Sequence, residues 1–175
     1  LNFLDVAFEI RIESEENKIG PDGYDQASFM ISTNPGEDLR PLAQIASGGE
    51  LSRIMLALKT VLADRDEIET LIFDEIDTGI SGKTAWKVSE KMGILGQKHQ
   101  LICITHLPQI AAMADSHFQI EKTVTKERTV TTIRALEETE SVEELARMLG
   151  GASITENVLN NAREMKDLAR KSKQY

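Results

Sequence analysis

The 175-residue chain holds a single cysteine, Cys103, so no internal disulfide can form. No group of Cys and His residues has zinc spacing either, which removes a structural zinc site and makes a reducing cytoplasm the simplest home. No stretch approaches the roughly 18 uninterrupted apolar residues that a membrane span needs. The opening Leu1-Asn2-Phe3-Leu4-Asp5 lacks the charged-then-apolar layout of a secretory leader. A soluble protein with no membrane partner is expected. Positive charge is also in short supply: 20 Lys and Arg stand against 29 Asp and Glu, a formal charge of −9, which excludes a DNA-coating surface over most of the chain. The one basic stretch, Arg163, Lys166, Arg170, Lys171 and Lys173, reads as a solvated helix face. What is present is ordinary for a globular chain, with 41% apolar and 28% charged residues in about one domain's length. Disorder, collagen and coiled-coil arrays are excluded as the main class.

Leu4, Val6, Phe8, Ile10 and Ile12 alternate with Asp5, Ala7, Glu9, Arg11 and Glu13, the period-2 pattern of a strand with one face buried. After the polar turn Gly20-Pro21-Asp22-Gly23, the segment Ala27 to Ser32 reads as an antiparallel partner, with Phe29 and Ile31 on one face. Leu51, Ile54, Met55, Leu58, Val61 and Leu62 predict a helix from about Gly49 to Ala63. The apolar runs Thr70 to Phe73 and Leu101 to Ile104 flank a helical stretch carrying Ala85, Val88, Met92 and Leu95 on one face. That order predicts two parallel, buried strands. A short helix near Gln109 to Met113, strands His117 to Val124 and Thr129 to Leu136 about a turn at Lys126-Glu127, and helices near Val142 to Leu149 and Glu156 to Ser172 complete the chain.

Three fragments carry chemistry. Asp74 and Glu75 stand at the carboxyl end of a predicted buried strand, where α/β proteins place ligands. In a nucleotide site the first acid holds Mg²⁺ and the second polarises the attacking water; a strand followed by Asp-Glu can equally complement a helix dipole. Ser47-Gly48-Gly49-Glu50 opens a helix: serine can N-cap, the glycines clear the approach, and the first-turn N–H groups form an anion site, although an ordinary capped helix has the same composition. His106 follows the strand Leu101 to Ile104 and could donate a hydrogen bond to developing phosphate charge, or be structural. Order and spacing join the three, since Asp74 follows Glu50 by 24 positions and His106 follows Glu75 by 31.

This combination resembles the second half of an ABC-type ATPase head, with Ser47-Gly48-Gly49-Glu50 as the signature motif, Leu71 to Glu75 as the Walker B strand, Ile76-Asp77-Thr78-Gly79 as the D-loop and His106 as the switch histidine. The longer strings Ile45 to Arg53, Phe73 to Gly82 and Thr105 to Ala112 are similar to the RecN family of bacterial SMC-like DNA repair proteins. The likeness runs from about Asn34 to Gly151, includes the closing Glu144-Leu145-Ala146-Arg147-Met148-Leu149-Gly150-Gly151, and is less diagnostic in the opening hairpin. Ala46 departs from the leucine usual in transporter signatures. The resemblance implies an α/β fold, the C-terminal lobe of an ABC-type head spanning 1–175, with a mainly parallel sheet, flanking helices and antiparallel strands or hairpins. It further implies that Glu75 and His106 are catalytic, that Ser47, Gly48, Gly49, Glu50 and Asp77 bind ATP, and that Asp74 binds Mg²⁺. The implied partners are an N-terminal Walker A lobe of the same protein, a second head in an ATP-bridged homodimer, and DNA through the full-length protein. The implied setting is a cytoplasmic, nucleoid-associated role in double-strand break repair and recombination.

A Walker A loop, Gly-x-x-x-x-Gly-Lys-Ser/Thr, does not occur in the chain. Gly82-Lys83-Thr84 is a decoy, because Asp77 stands where the first glycine is required. A transporter ATPase would carry its Walker A in the same short chain. A non-hydrolysing dimerisation head would have no need of Glu75 and His106. Cys103 reads as a small buried hydrophobe, Trp86 falls off the apolar stripe of its helix, and the acidic run Glu137, Glu138, Glu140, Glu143 and Glu144 reads as solvated surface with a helix starting after Ser141. His99 and His117 have no partner pattern.

Overall fold

The computed structural model describes residues 3, 5–14, 19–21, 23–45, 47–65, 67–124, 128–151 and 153–173. Leu4, Asp22, Ala46 and the turn at Lys126-Glu127 lie outside the described residues. Strand β1 (Ala7–Ser14) pairs antiparallel with β2 (Asp25–Ser32), which pairs with the short β3 (Arg40–Pro41). Helix α1 (Gly48–Leu62) leads to β4 (Thr70–Phe73), helix α2 (Gly82–Leu95) crosses over, and β5 (Gln100–Cys103) lies parallel to β4 in the register Leu71 to Leu101 and Phe73 to Cys103. The short α3 (Pro108–Ala111), the antiparallel pair β6 (Phe118–Val124) and β7 (Thr129–Ala135), and helices α4 (Glu138–Gly150) and α5 (Glu156–Ser172) follow.

The parallel sheet expected as the main body is present as two four-residue strands, and the antiparallel ribbons carry the longer ones. Hairpins close locally, whereas each further parallel strand needs its own crossover helix, and α2 is the single such crossover among the described residues.

Two apolar clusters hold the helices. Leu56, Phe73, Ile76, Val88, Met92, Leu95 and Ile110 join α1, the β4–β5 pair, α2 and α3. Ala111, Ala112, Met113, Leu145, Ala146, Ala162 and Ala169 join α3, α4 and α5, with Trp86 of α2 packed on their edge. The small residues let α4 and α5 approach closely. On α2 the predicted face is the buried one, Ala85, Val88, Met92 and Leu95. On α1 the stripe was drawn wrongly: Leu56 is fully buried, while Val61 is 83% exposed. Apolar residues surround most of that helix, and only the side against β4 and α2 is covered.

The strand faces differ from expectation for a similar reason. Phe8, Ile10 and Ile12 are exposed along β1, and Ile72 of β4 (69%) and Ile102 of β5 (46%) are bare on the side opposite α2. The alternation is correct, but no element among the described residues covers either face of β1 or the second face of β4 and β5. No helix among them is long and apolar enough to cross a membrane.

Helix α4 begins at Glu138 rather than after Ser141, because Glu137 accepts from the N3 backbone while Glu140 reaches back to the Glu137 N–H. Ser141 is thereby carried into the core, where Lys166 Nζ donates to its Oγ at 2.6 Å. Lys166 is thus buried and not on a solvated face, and Arg170 and Lys173 pair with Glu138 and Asp115. The same Ser141 Oγ lies in hydrogen-bonding contact with Nδ1 of His117 at 2.9 Å. Burial and the Lys166 ammonium hold the His117 pKa below the ordinary histidine value, and Glu144 opposes them in part.

The sign of the resulting pH dependence follows from that depression. Between the folded and unfolded pKa values the unfolded chain binds more protons, so the stability held through neutral His117 is full above about pH 6.5 and is lost as pH falls through the folded value. Urea unfolding should give a lower stability at pH 5.5 than at pH 7.5, and His117→Gln should flatten that difference. Equal slopes in the two proteins would contradict the account. The depressed carboxylates Glu140 and Glu144 act in a separate window, below their ordinary value of 4.5.

Candidate functional site

The carboxyl ends of β4 and β5 and the start of α1 meet at one edge of the molecule. Ser47 caps α1, its Oγ accepting from the Glu50 N–H at 3.4 Å. Two residues further along the helix, side chains reach across to the turn that follows β4. Ser52 Oγ donates to the Asp74 carbonyl at 2.9 Å, and Arg53 Nη1 donates to the carbonyls of Ile76 (3.3 Å) and Thr78 (2.9 Å). Arg53 is 6% exposed; desolvation lowers its pKa, with Glu50 acting the other way. Its guanidinium also lies over the Phe3 ring. Neither Ser52 nor Arg53 was assigned a role from sequence. The available signal was an arginine lying beside Ile54 inside a predicted apolar helix.

The approach is close. A Cβ on Gly49 would lie 2.8 Å from the Thr78 carbonyl and 3.0 Å from that of Glu75, and a Cβ on Gly48 would lie 2.6 Å from Glu75 Oε2. Glycine is required at Gly49, where backbone occupies the space a side chain would take, whereas at Gly48 the obstacle is the far end of the Glu75 side chain, which can move aside. Glu75 itself has φ of 57°, the left-handed region, so the residue named as base sits at a backbone angle that non-glycine residues seldom adopt.

Asp74 and Glu75 are exposed, with their carboxylates at the open edge. Asp77 is not: its side chain is 3% exposed, and its Oδ2 accepts from Thr105 Oγ1 at 2.5 Å and from the His106 N–H at 2.9 Å, and lies 3.1 Å from His106 Nδ1. Asp77 therefore faces the β5 end. His106 is 72% exposed beyond it. Thr105 Oγ1 also accepts from the Leu107 N–H at 3.0 Å. Cys103, half-buried on β5, has its thiol pushed up to about 12 by desolvation first and then by Asp77 and Asp74, so it stays protonated and unreactive. His99, given no role from sequence, is buried with Nδ1 2.7 Å from the Ile68 carbonyl.

The structure thus brings Ser47, Gly48, Gly49, Asp74, Glu75 and His106 together around one edge, with Asp77 beneath them. Gly82-Lys83-Thr84 opens α2, with Gly82 at φ of 53°.

No family model matches the chain. It is 47% identical over 167 residues to the DNA repair protein RecN of Halalkalibacterium halodurans, 50% over 170 residues to that of Treponema pallidum, and 40% over 172 residues to that of Bacillus subtilis. Each match covers 93–94% of this chain and 30% of the relative, so the chain spans about a third of the curated relatives' length. Among solved structures, the Smc head domain with a coiled coil and joint from Pyrococcus yayanosii aligns with a TM-score of 0.54 at 20% identity, over 79% of this chain and 25% of that one, a likeness of fold. On a sequence match that runs through nearly all of its length, the chain belongs to the RecN family, as the C-terminal part of such a protein.

Proposed function

We propose that the chain is the C-terminal lobe of an ABC-type ATPase head, which acts in ATP-dependent engagement of two heads during DNA double-strand break repair by a cytoplasmic, nucleoid-associated protein. The observation that carries the reading is the meeting of the α1 start, the Asp74-Glu75 pair and His106 at one edge, with Glu75 Oε2 against Gly48. The RecN relatives support the biological setting.

The residues fit the nucleotide and its metal. Among the described residues no group of three or more metal-ligating side chains forms. Mg²⁺ is commonly held by one or two carboxylates and the phosphates of its substrate, and the exposed Asp74 would be such a carboxylate. The bare backbone at Gly48 and Gly49 suits a phosphate oxygen at a helix start. ATP with Mg²⁺ supplies the transferable phosphoryl group and neutralises its charge. Glu75 would take the proton of the attacking water. His106 would donate a hydrogen bond to the developing negative charge. Ser47, Gly48, Gly49 and Glu50 would face the phosphate carried by a second head, so that engagement completes the site.

The phosphate cradle itself belongs, in this reading, to an N-terminal Walker A lobe of the same protein. That lobe would cover the bare β4–β5 face of Ile72, Ile102 and Ile104, which burial against it would desolvate. DNA would be met by the longer protein, since the acidic balance of this chain disfavours it as a DNA surface.

Titration calorimetry on the 175-residue chain should detect no micromolar ATP binding, because no Walker A backbone is present to hold the phosphates; micromolar binding would overturn the assignment. In a head reassembled with its Walker A lobe, Glu75→Gln keeps the shape but cannot accept the proton, so turnover should fall by about 10²–10⁴-fold. ATP-dependent dimers should persist and be visible by sedimentation. Ser47→Arg should act oppositely, abolishing ATP-dependent dimers while each head retains its own nucleotide. Full turnover in Glu75→Gln would favour a non-hydrolysing dimerisation head, and ATP-driven dimers of Ser47→Arg would remove the signature from the interface.

A further inference from the structure

We propose that Asp77 and Thr105 are positioning residues that hold His106 with its proton on Nδ1 and its Nε2 turned toward the nucleotide edge, a role that rests on the reading of His106 as the phosphate-facing histidine. The geometry lies in one oxygen. Asp77 Oδ2 is bound by the main-chain N–H of His106 at 2.9 Å and stands 3.1 Å from Nδ1 of the same residue, so a single carboxylate oxygen ties the ring to its own backbone. That double hold removes the rotation about the side chain that an exposed histidine would otherwise keep.

The oxygen is in turn held by Thr105. Its hydroxyl donates to Oδ2 at 2.5 Å, and the same hydroxyl accepts from the Leu107 N–H at 3.0 Å, which fixes the direction in which its own hydrogen points. A hydroxyl with its lone pair engaged by a backbone donor has its proton left for Asp77. Arg53 steadies the other side, because it binds the carbonyls of Ile76 and Thr78 that flank Asp77 in the chain. The buried carboxylate is thus bound by donors from the β5 end, and the main chain on either side of it is held by Arg53 of α1, before any ligand arrives.

The chemistry follows from donor and acceptor counting. An ionised carboxylate accepts only, so the nitrogen facing it must carry hydrogen. In neutral imidazole the other nitrogen then holds the lone pair, and Nε2 accepts from water or a hydroxyl. In the imidazolium both nitrogens carry hydrogen, Nε2 donates to phosphate oxygen, and the Asp77 carboxylate lies beside the new positive charge. Asp77 thereby lets one ring orientation serve both protonation states. Without it the ring is free to turn and to carry its proton on either nitrogen. The arrangement parallels the aspartate that holds the histidine of serine proteases in one tautomer.

Two measurements test this. Long-range ¹H–¹⁵N correlation spectra of the 175-residue chain, recorded where His106 is neutral, should show the Nδ1–H tautomer. Asp77→Ala should shift the signal toward Nε2–H, and Thr105→Val should shift it part of the way. In the reassembled head both variants should lower kcat by roughly 10–100-fold, the scale on which partners that orient a functional histidine act, with KM for ATP little changed. An Nε2–H signal in the unsubstituted chain would overturn the proposal whatever the kinetics. Should Asp77→Ala fail to fold, Thr105→Val carries the test alone, since it removes one hydroxyl at nearly constant volume. His106→Ala separates the two levels: if it leaves turnover intact, the reading of His106 fails, whereas if it abolishes turnover while Thr105→Val keeps both the full rate and the Nδ1–H signal, the positioning role fails.

Discussion

The start of α1 lies against the turn after β4 with no room for a side chain at Gly49, and this close approach sets the geometry of the whole edge. Hydrogen bonds from Ser52 and Arg53 hold the two segments at that distance, and Arg53 does so from a buried position at which unpaired carbonyls of the turn would otherwise be costly. A turn so anchored can keep Glu75 in a left-handed backbone conformation, which costs on the order of 1–3 kcal/mol and persists only where surroundings impose it. The direction of the Glu75 carboxylate is therefore a consequence of helix packing as much as of its place after a strand.

A second layer depends on the first. Because Ile76 is fully buried and its carbonyl and that of Thr78 are clamped by α1, Asp77 is turned inward to the end of β5. There it accepts from Thr105 Oγ1 and the His106 N–H and lies beside His106 Nδ1. Charge-assisted bonds of this sort are stronger than neutral ones, and a buried carboxylate with that many donors is a stable anchor. The two neighbouring acids, Asp74 and Glu75, remain in solvent. Three carboxylates within four residues thus divide into two that are exposed and one that is buried against the end of β5.

The remote half of the molecule follows different rules. Helices α4 and α5 meet through alanines and leucines, yet they enclose the polar chain Lys166, Ser141, His117. Lys166 Nζ and His117 Nδ1 both meet the Ser141 hydroxyl, so the polar atoms drawn into this region satisfy one another, which is the condition on which a buried polar network is tolerated. The bare faces of β1, β4 and β5 lie away from it, and their apolar side chains make the described lobe a surface suited to be covered.

Much of this was readable in the residues. Glycine pairs at a helix start, an Asp-Glu after an apolar run and a histidine after the next such run are local features, and local features survive translation into structure because backbone sterics and capping act over a few residues. Helix α5 has the bounds its periodicity and its Thr155 cap dictate, and α2 buries the face its spacing marks. Whether an apolar strand face is covered is another matter, since alternation in Phe8, Ile10 and Ile12 states only that a face exists and burial needs a second element to meet it. The same holds for Leu56 against Val61 on α1, for Ser141 drawn into the core by a helix that starts earlier than its acidic run suggested, and for Lys166. The inward turn of Asp77 and the part of Thr105 were beyond the sequence for the plainest reason. Residues 28 positions apart came into hydrogen-bonding distance only when β4 and β5 paired, and pairing over that separation is decided by the packing of α2 on the sheet and not by any property of either residue alone.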